Sequence, residues 1–140
     1  MMPPRLTTQP LDAAALLASV QGATLGGTAL FLGTVRRSPE DGEVEGIEYT
    51  AYEAMAEEEL GRIVAEAREH WPQGRVAVLH RLGYVPTGEA SVAVAVGAPH
   101  RADAFAACRW VIDEIKRRAP IWKKERLPDG AARWVEQAHA

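Results

Sequence analysis

The hydrophobic and polar positions of the chain follow two different periods. Between residues 54 and 71, apolar side chains recur at helical spacing while glutamate and arginine occupy the opposite face. A second long helical period covers residues 101–118, and a short one covers residues 11–20. Pro120 is expected to end the second long helix, because proline lacks the N–H that a helix interior requires. The pattern therefore predicts two long amphipathic helices and one short N-terminal helix.

Segments rich in β-branched and aromatic residues predict strands between these helices. Turn sequences at 38–43, 83–88 and 128–131 separate several of them, and the two strands that flank 83–88 are expected to pair as a hairpin. The predicted strands cover residues 26–36, 44–52, 75–82, 89–98, 121–127 and 132–136. Strands and helices are mixed without strict βαβ alternation. We therefore expect an α+β fold, with a mixed, largely antiparallel sheet packed with the helices.

The composition fits one globular domain over residues 1–140. Of the 140 residues 47% are hydrophobic, and proline and glycine are spread along the chain without repeats or a linker-like segment. The N-terminal apolar run is broken by Asp12 and is shorter than the roughly 20 residues of a membrane span. The single cysteine, Cys108, excludes an internal disulfide and fits a reducing compartment. We expect a cytoplasmic protein with no membrane association.

Charge and motif spacing narrow the possible functions further. Nineteen acidic residues against 16 basic residues argue against general nucleic-acid binding, which requires a basic surface. The four histidines have no metal-ligand spacing, and neither a G-x-S-x-G motif nor a phosphate-binding P-loop occurs. The sequence therefore predicts no metal and no cofactor, and any bound anion should be small and locally held.

The sequence KRRAPIWKKE at residues 116–125 gathers five basic residues around an Ile-Trp pair. A solvated helix end is one interpretation, because cations there complement the helix dipole. An anion site that uses an ammonium group for chemistry is the other. Lys116 borders the buried helix stripe, since it follows Ile112 by four residues. In an extended segment Lys123 and Lys124 point to opposite faces, so only one of them can join Lys116, and the periodicity does not say which.

Two other basic pairs lie far away in sequence, Arg36-Arg37 and His100-Arg101. An exposed strand end and a polar helix start facing water would explain them without a ligand. Arg101, however, lies where the free N–H groups of a helix N-terminus suit a bound anion. A lysine beside other cations has a lowered pKa, which permits proton transfer or amine nucleophilicity. Cys108 lies on the apolar helix stripe, so a packing role is expected for it.

Several segments, in this order, resemble one known family: FLGTVR, YEAM, HRLGYVPTGEASVAVAV, HRADAFAACRWVIDEIKRRAPIWKKE and RWVE. Together they resemble the large, catalytic subunits of molybdopterin synthase, the MoaE family, over roughly residues 22–136. The resemblance implies a sulfurtransferase of molybdenum cofactor biosynthesis that converts cyclic pyranopterin monophosphate to molybdopterin. The sulfur would come from the C-terminal Gly-Gly thiocarboxylate of a ubiquitin-like small subunit. It also implies a heterotetramer, with a central homodimer of large subunits and a small subunit at each end.

The resemblance also assigns roles to individual residues. Lys116 would lie at the thiocarboxylate, and Lys123 would complete the catalytic pair, so the family selects Lys123 over Lys124. The residues expected to bind or adjoin the substrate are Thr34, Val35, Arg36, His100, Arg101, Lys124 and Glu125. Two other classes stay open at this point. One is a non-catalytic module that captures a ubiquitin-like tail, and the other is an unrelated phosphate-binding enzyme that uses a lysine.

Overall fold

The computed structural model describes residues 4–37 and 44–135, so the turn predicted at 38–43 lies outside the described residues. Three helices and eight strands occur in these two ranges. In chain order they are β1 (Leu6–Thr7), α1 (Ala13–Val20), β2 (Gly27–Thr34), β3 (Gly46–Ala51), α2 (Glu53–His70), β4 (Arg75–Arg81), β5 (Gly83–Pro86), β6 (Ala90–Ala98), α3 (Arg101–Arg118), β7 (Ile121–Arg126) and β8 (Ala132–Val135). The α+β class and the predominance of antiparallel pairing are thus confirmed.

The first sheet has the strand order β1-β4-β6-β2. β1 is parallel to β4, whereas β6 pairs antiparallel with both β4 and β2. The sequence does not predict β1, because two residues are too few to show a period. Its position is fixed instead by Glu57 on α2, whose carboxylate accepts hydrogen bonds from the backbone N–H groups of Arg5 (2.8 Å) and Leu6 (3.2 Å).

The second sheet has the order β5-β3-β7-β8 and is antiparallel throughout. The prediction of a simple turn over residues 83–88 is wrong, because Gly83–Pro86 form β5 and pair with β3. Gly83 (φ 88°) turns the chain out of β4, and Gly88 (φ 93°) returns it toward β6. Pro86 is tolerated because β5 is an edge strand. β4 and β6 still pair with each other, as predicted.

Strand β6 is buried along both faces and forms the centre of the core. Val94 and Val96 belong to the main apolar cluster, together with the buried residues of α2 and α3. Gly97 instead meets α1, since a Cβ built there would overlap the carbonyl oxygen of Val20. The first sheet therefore has α2 and α3 on one face and α1 on the other, which explains why the β6 sequence is apolar without alternation.

Arg118, the last residue of α3, joins the two long helices. Its guanidinium donates to Glu59 (2.8 Å) and Glu66 (2.7 Å) on α2 and to Glu114 (3.2 Å) on α3 itself. The Arg118 side chain is 18% exposed, so these ion pairs are partly shielded from water. Ala119 then adopts an extended conformation before Pro120. The end of α3, and hence the start of β7, is fixed in position by this network.

Candidate active site

A small cavity lies where the end of α3 meets the second sheet. Its polar lining consists of Lys116, Lys123, Tyr49 and His80, and its volume is about 50 Å³. The remaining lining is apolar: Val92, Ile112, Ile115, Ala119 and Ile121. A space of this size accommodates a water molecule or a small terminal group, and not a whole organic ligand. We call it the inner cavity.

The two lysines reach the inner cavity from different elements. Lys116 follows Ile112 and Ile115 on the buried side of α3, in its last turn. Lys123 is the third residue of β7 and is directly opposite Tyr49 of β3 in the sheet. The extended backbone at Ala119 ends the helix between them, and both side chains line one space. The prediction that one lysine of the Lys123-Lys124 pair joins Lys116 is consistent with this geometry.

Burial lowers the pKa of Lys123, and the neighbouring Lys116 ammonium lowers it further, while Glu125 acts in the opposite direction. Burial and the Lys116 charge both penalise the charged form of the Lys123 amine. Lys123 can therefore exchange a proton closer to neutral pH than an exposed lysine can. This property suits either a proton-transfer group or an electrostatic anchor.

Lys124 lies on the other face of β7. It is the cross-strand partner of Trp134 on β8, and its Nζ lies 5.3 Å from the centre of the Trp134 ring, a cation–π contact. The alternation of an extended strand thus separates the two adjacent lysines, as the sequence predicts for residues 121–127. A direct role for Lys124 at the inner cavity is not supported by this position.

The inner cavity adjoins a larger cleft of about 620 Å³, with which it shares Lys116 and Lys123; this size is typical of small-molecule sites. We call it the outer cleft. Thr34, Val35 and Arg36, at the end of β2, line it together with Lys116, Lys123 and Glu125. Glu125 accepts a hydrogen bond from Arg133 of β8 at 2.6 Å. Six of the nine residues that the sequence singles out therefore meet around one cleft.

His100 and Arg101 lie elsewhere. They begin α3, and its 18 residues make a helix about 27 Å long with Lys116 near the other end. A Cβ on Gly27 would lie 3.0 Å from the Arg101 Cα, which places the helix start against the beginning of β2, while Thr34 ends that strand. One copy of the chain cannot bring His100 and Arg101 to the inner cavity.

Proteins of similar sequence and fold identify the family of this chain. The family model described as MoaE protein matches residues 6–118. The chain belongs to the MoaE family. A molybdopterin synthase catalytic subunit from Nostoc sp. is 42% identical over 131 residues, which cover 93% of this chain and 79% of that protein. The structure of molybdopterin synthase from Staphylococcus aureus is similar with a TM-score of 0.91 and 32% identity, covering 97% of this chain and 98% of that one.

A further structural neighbour of this MoaE chain shows the fold alone, because it is 22% identical. It is a complex of subunits 1 and 2 of molybdopterin-converting factor from Helicobacter pylori 26695, with a TM-score of 0.78 over 94% of this chain and 89% of that one.

Within residues 4–37 and 44–135, no group of three histidine, cysteine, aspartate or glutamate side chains is placed to hold a metal ion. In the same ranges, no helix is both long and apolar enough to cross a membrane.

The polar residues behind the lysines of this MoaE chain were not predicted from the sequence. His80 is only 6% exposed and lies on β4 in the same register as buried Val76 and Val78. Its Nδ1 lies 2.9 Å from the carbonyl oxygen of Arg81. Burial lowers the pKa of His80 to about 4, and the Lys116 and Lys123 ammonium groups contribute in the same direction. A histidine at a buried strand position was the signal available in the sequence.

An apolar groove between β2 and α3 leads to Lys116 from a second direction. Its volume is about 440 Å³, and it is lined by Phe31, Phe105, Cys108 and Ile112 among others. Phe105 is 67% exposed, whereas Cys108 is 6% exposed. The Cys108 Sγ donates to the Val94 carbonyl oxygen at 3.6 Å, and burial raises the pKa of the thiol. The packing role expected for Cys108 agrees with this environment.

Proposed function

We propose that this chain is the catalytic subunit of a molybdopterin synthase and transfers sulfur to cyclic pyranopterin monophosphate. The sulfur donor is the C-terminal Gly-Gly thiocarboxylate of a ubiquitin-like small subunit. The chain is an enzyme of molybdenum cofactor biosynthesis by its family and its curated relatives. The observation that carries the detailed proposal is the pair Lys116 and Lys123, which line both the inner cavity and the adjoining cationic cleft.

The two connected spaces suit two reactants of different size. The outer cleft is large enough for a pterin, and Arg36 at its wall can pair with a phosphate. The inner cavity is large enough only for a small terminal group, such as the thiocarboxylate of an extended tail. The sulfur would then lie between the lysines, beside the part of the pterin that enters from the cleft.

The cations address the main obstacle to this reaction, which is that both reactants are anions. Lys116 and Lys123 neutralise the thiocarboxylate, and Arg36 neutralises the phosphate, so the reactants can approach without mutual repulsion. The apolar lining of the inner cavity limits water and strengthens each of these interactions. The lowered pKa of Lys123 also allows it to deliver or accept a proton during transfer.

The groove between β2 and α3 is the proposed path of the small subunit's tail. It is apolar, and it shares Ile112 and Lys116 with the inner cavity. A tail that ends in two glycines has no side chains there and can pass a narrow opening. The exposed Phe31 and Phe105 rings would be covered by the small subunit in the assembled heterotetramer.

His100 and Arg101 are proposed to act on the cleft of a second copy in the central homodimer. This follows from the length of α3, which keeps them away from Lys116 in their own chain. Mixing two inactive variants tests the arrangement. Lys123→Ala and Arg101→Ala proteins, mixed and allowed to exchange subunits, should regain about a quarter of wild-type activity. Random pairing makes half of the dimers hybrids, and each hybrid has one intact site of two. No recovery despite proven exchange would refute a shared site.

Reconstitution tests the activity itself. The purified chain is mixed with a thiocarboxylated small subunit and cyclic pyranopterin monophosphate, and molybdopterin is measured in a single turnover. Lys123→Ala should lower the rate by about 100-fold or more while the protein stays folded. Lys124→Ala is the matched control on the opposite face of β7 and should change the rate by less than about threefold. Equal losses in both variants would contradict the facing of the two lysines.

A non-catalytic module that captures a ubiquitin-like tail is the second candidate, because the apolar groove alone would suffice for capture. Tight binding of the small subunit with no molybdopterin formed would favour this module. An unrelated lysine-dependent phosphate enzyme would act on a phosphorylated compound without the small subunit. The cytoplasmic location stays a prediction from the sequence.

A further inference from the structure

A wall of uncharged polar side chains, which the proposed reaction does not use, lies where the inner cavity adjoins the outer cleft. His80 on β4 and Ser91 on β6 are 6% and 5% exposed, and they are the buried polar residues of the described ranges. Tyr49 on β3, 4% exposed, lies between them. His80 lines the inner cavity, Ser91 lines the outer cleft, and Tyr49 lines both spaces.

Ser91 reaches this position through a β-bulge. Gly33 pairs with Val92 and Thr34 pairs with Ala90, so Ser91 is an extra residue without a cross-strand partner. Adjacent residues of a regular strand point to opposite faces, yet Ser91 and Val92 both line the outer cleft. The Ser91 hydroxyl donates to the Gly33 carbonyl oxygen at 3.3 Å. Its lone pairs are thereby left for another donor.

Tyr49 connects Ser91 to Lys123. Burial raises the pKa of Tyr49, and the nearby Ser91 side chain partly offsets this rise. Its ring packs edge-to-face on His80, with the ring centres 5.3 Å apart. Tyr49 is also directly opposite Lys123 in the sheet. Side chains of directly opposed residues are close neighbours, so the Tyr49 ring lies beside the aliphatic stem of Lys123.

His80 completes the wall without adding charge. Its Nδ1–H donates to the Arg81 carbonyl oxygen, which leaves the Nε2 nitrogen unprotonated. With a pKa of about 4 the ring is neutral at physiological pH. A carboxylate at this place would pair with the lysines and stabilise their charged forms, whereas neutral imidazole supports the wall without doing so.

We propose that Tyr49, His80 and Ser91 are positioning residues for Lys123, forming a rigid, uncharged wall that holds its ammonium toward Lys116 and away from a counter-ion. Other charged groups near Lys123 are Glu125 on β7, which is engaged by Arg133 of β8, and Arg36 after β2. The catalytic meaning of the wall rests on the proposed function. The positioning itself can be measured without either reactant.

The lysine content of the chain makes a direct test possible. Lysine occurs at positions 116, 123 and 124 and nowhere else in the 140 residues. Lysine labelled with ¹³C at Cε therefore gives three side-chain signals in the full chain, and Lys→Arg variants assign each of them. The Lys123 signal is followed by NMR as the pH is raised, in the wild-type protein and in Tyr49→Phe and Ser91→Ala.

Each substitution should move the titration midpoint of Lys123 upward, because a looser wall admits water and favours the ammonium form. The double variant should move it no further than the larger single change, since both substitutions loosen the same wall. Tyr84→Phe is the matched control, because Tyr84 is an exposed tyrosine of the same second sheet. The Lys123 midpoint in Tyr84→Phe should equal that of the wild type.

Activity provides the second readout. Tyr49→Phe and Ser91→Ala should each lower kcat by roughly 2- to 12-fold, the loss expected for one hydrogen bond, with unchanged affinity for the small subunit. An unchanged Lys123 midpoint in folded variants would overturn the proposal, even if their stability fell, because the wall would then be only structural. If Ser91→Ala does not fold, the Lys123 midpoint in Tyr49→Phe alone tests the proposal. If the wild type makes no molybdopterin, the proposed function fails, while the titration still tests the wall.

Discussion

Buried His80 should make the stability of the chain depend on pH in a defined window. Its folded pKa is about 4, below the value of 6.5 expected in the unfolded chain. Between these two values the unfolded state binds a proton that the folded state does not bind. The contribution of His80 to the free energy of unfolding should therefore be fully present above about pH 6.5. It should fall as the solution is acidified toward pH 4.

The size of the effect follows from the two pKa values. Lowering the pH from about 7.5 to about 5 should cost the wild-type chain about 2 kcal/mol through His80 alone. The carboxylates around Arg118 do not obscure this window. The Arg118 guanidinium lowers the pKa of Glu59 and Glu66 and, together with Arg117, that of Glu114, all below the usual 4.5. Their stabilising contributions are lost only at lower pH.

Urea unfolding at the two pH values, at one protein concentration, measures the effect against His80→Gln, which cannot titrate. The difference in unfolding free energy between the wild type and this variant should shrink by about 2 kcal/mol at the lower pH. His70→Gln is the matched control, because it makes the same substitution at a histidine that is exposed at the end of α2. If His80→Gln loses as much stability on acidification as the wild type does, the reasoning about His80 is wrong.

Three further substitutions test packing and charge. Arg118→Ala should lower the free energy of unfolding by about 2 kcal/mol, since three carboxylates lose their partner. Arg109→Ala is the control and should change it by less than about 0.5 kcal/mol, because its ion pair with Asp113 is exposed. Gly97→Ala should lower the free energy of unfolding, measured by urea titration, by about 3 kcal/mol, because the added Cβ would clash with the Val20 backbone. Gly22→Ala should lower it much less, because the Cβ would meet the flexible side chain of Arg75. Cys108→Ala should keep near wild-type single-turnover product formation and lose about 1 kcal/mol of stability, and a persulfide found on Cys108 during turnover would contradict its packing role.

The sequence predicts those features that depend on a local period. Helix α3 has the predicted bounds, and the opposite facing of Lys123 and Lys124 follows from strand alternation. Helix α1 begins at Ala13, two residues later than predicted, because Asp12 caps it by accepting a hydrogen bond from the Ala15 N–H at 3.0 Å. Such differences at helix ends are set by single capping contacts.

Features that depend on contacts distant in sequence could not be predicted. β5 exists because β3 offers it an edge, although its own sequence has the glycine and proline of a turn. The bulge at Ser91 is a register shift between two strands, and neither strand alone encodes it visibly. The copy that supplies His100 and Arg101 is likewise not encoded locally: the predicted length of α3 already separates them from Lys116, but the resemblance gives roles and not which copy supplies them.

Helix α3 carries a proposed substrate contact at one end and Lys116 at the other. In the proposed homodimer each α3 therefore belongs to two active sites, with Arg101 facing one and Lys116 facing the other. A packed helix moves as a rigid unit, so a small displacement caused by substrate at one site reaches the second site. The two sites should then bind substrate with linked affinities, and by thermodynamic reciprocity each would alter the other by the same factor. Binding curves of the assembled enzyme should accordingly depart from a simple hyperbola, even though each chain has a single cleft of its own.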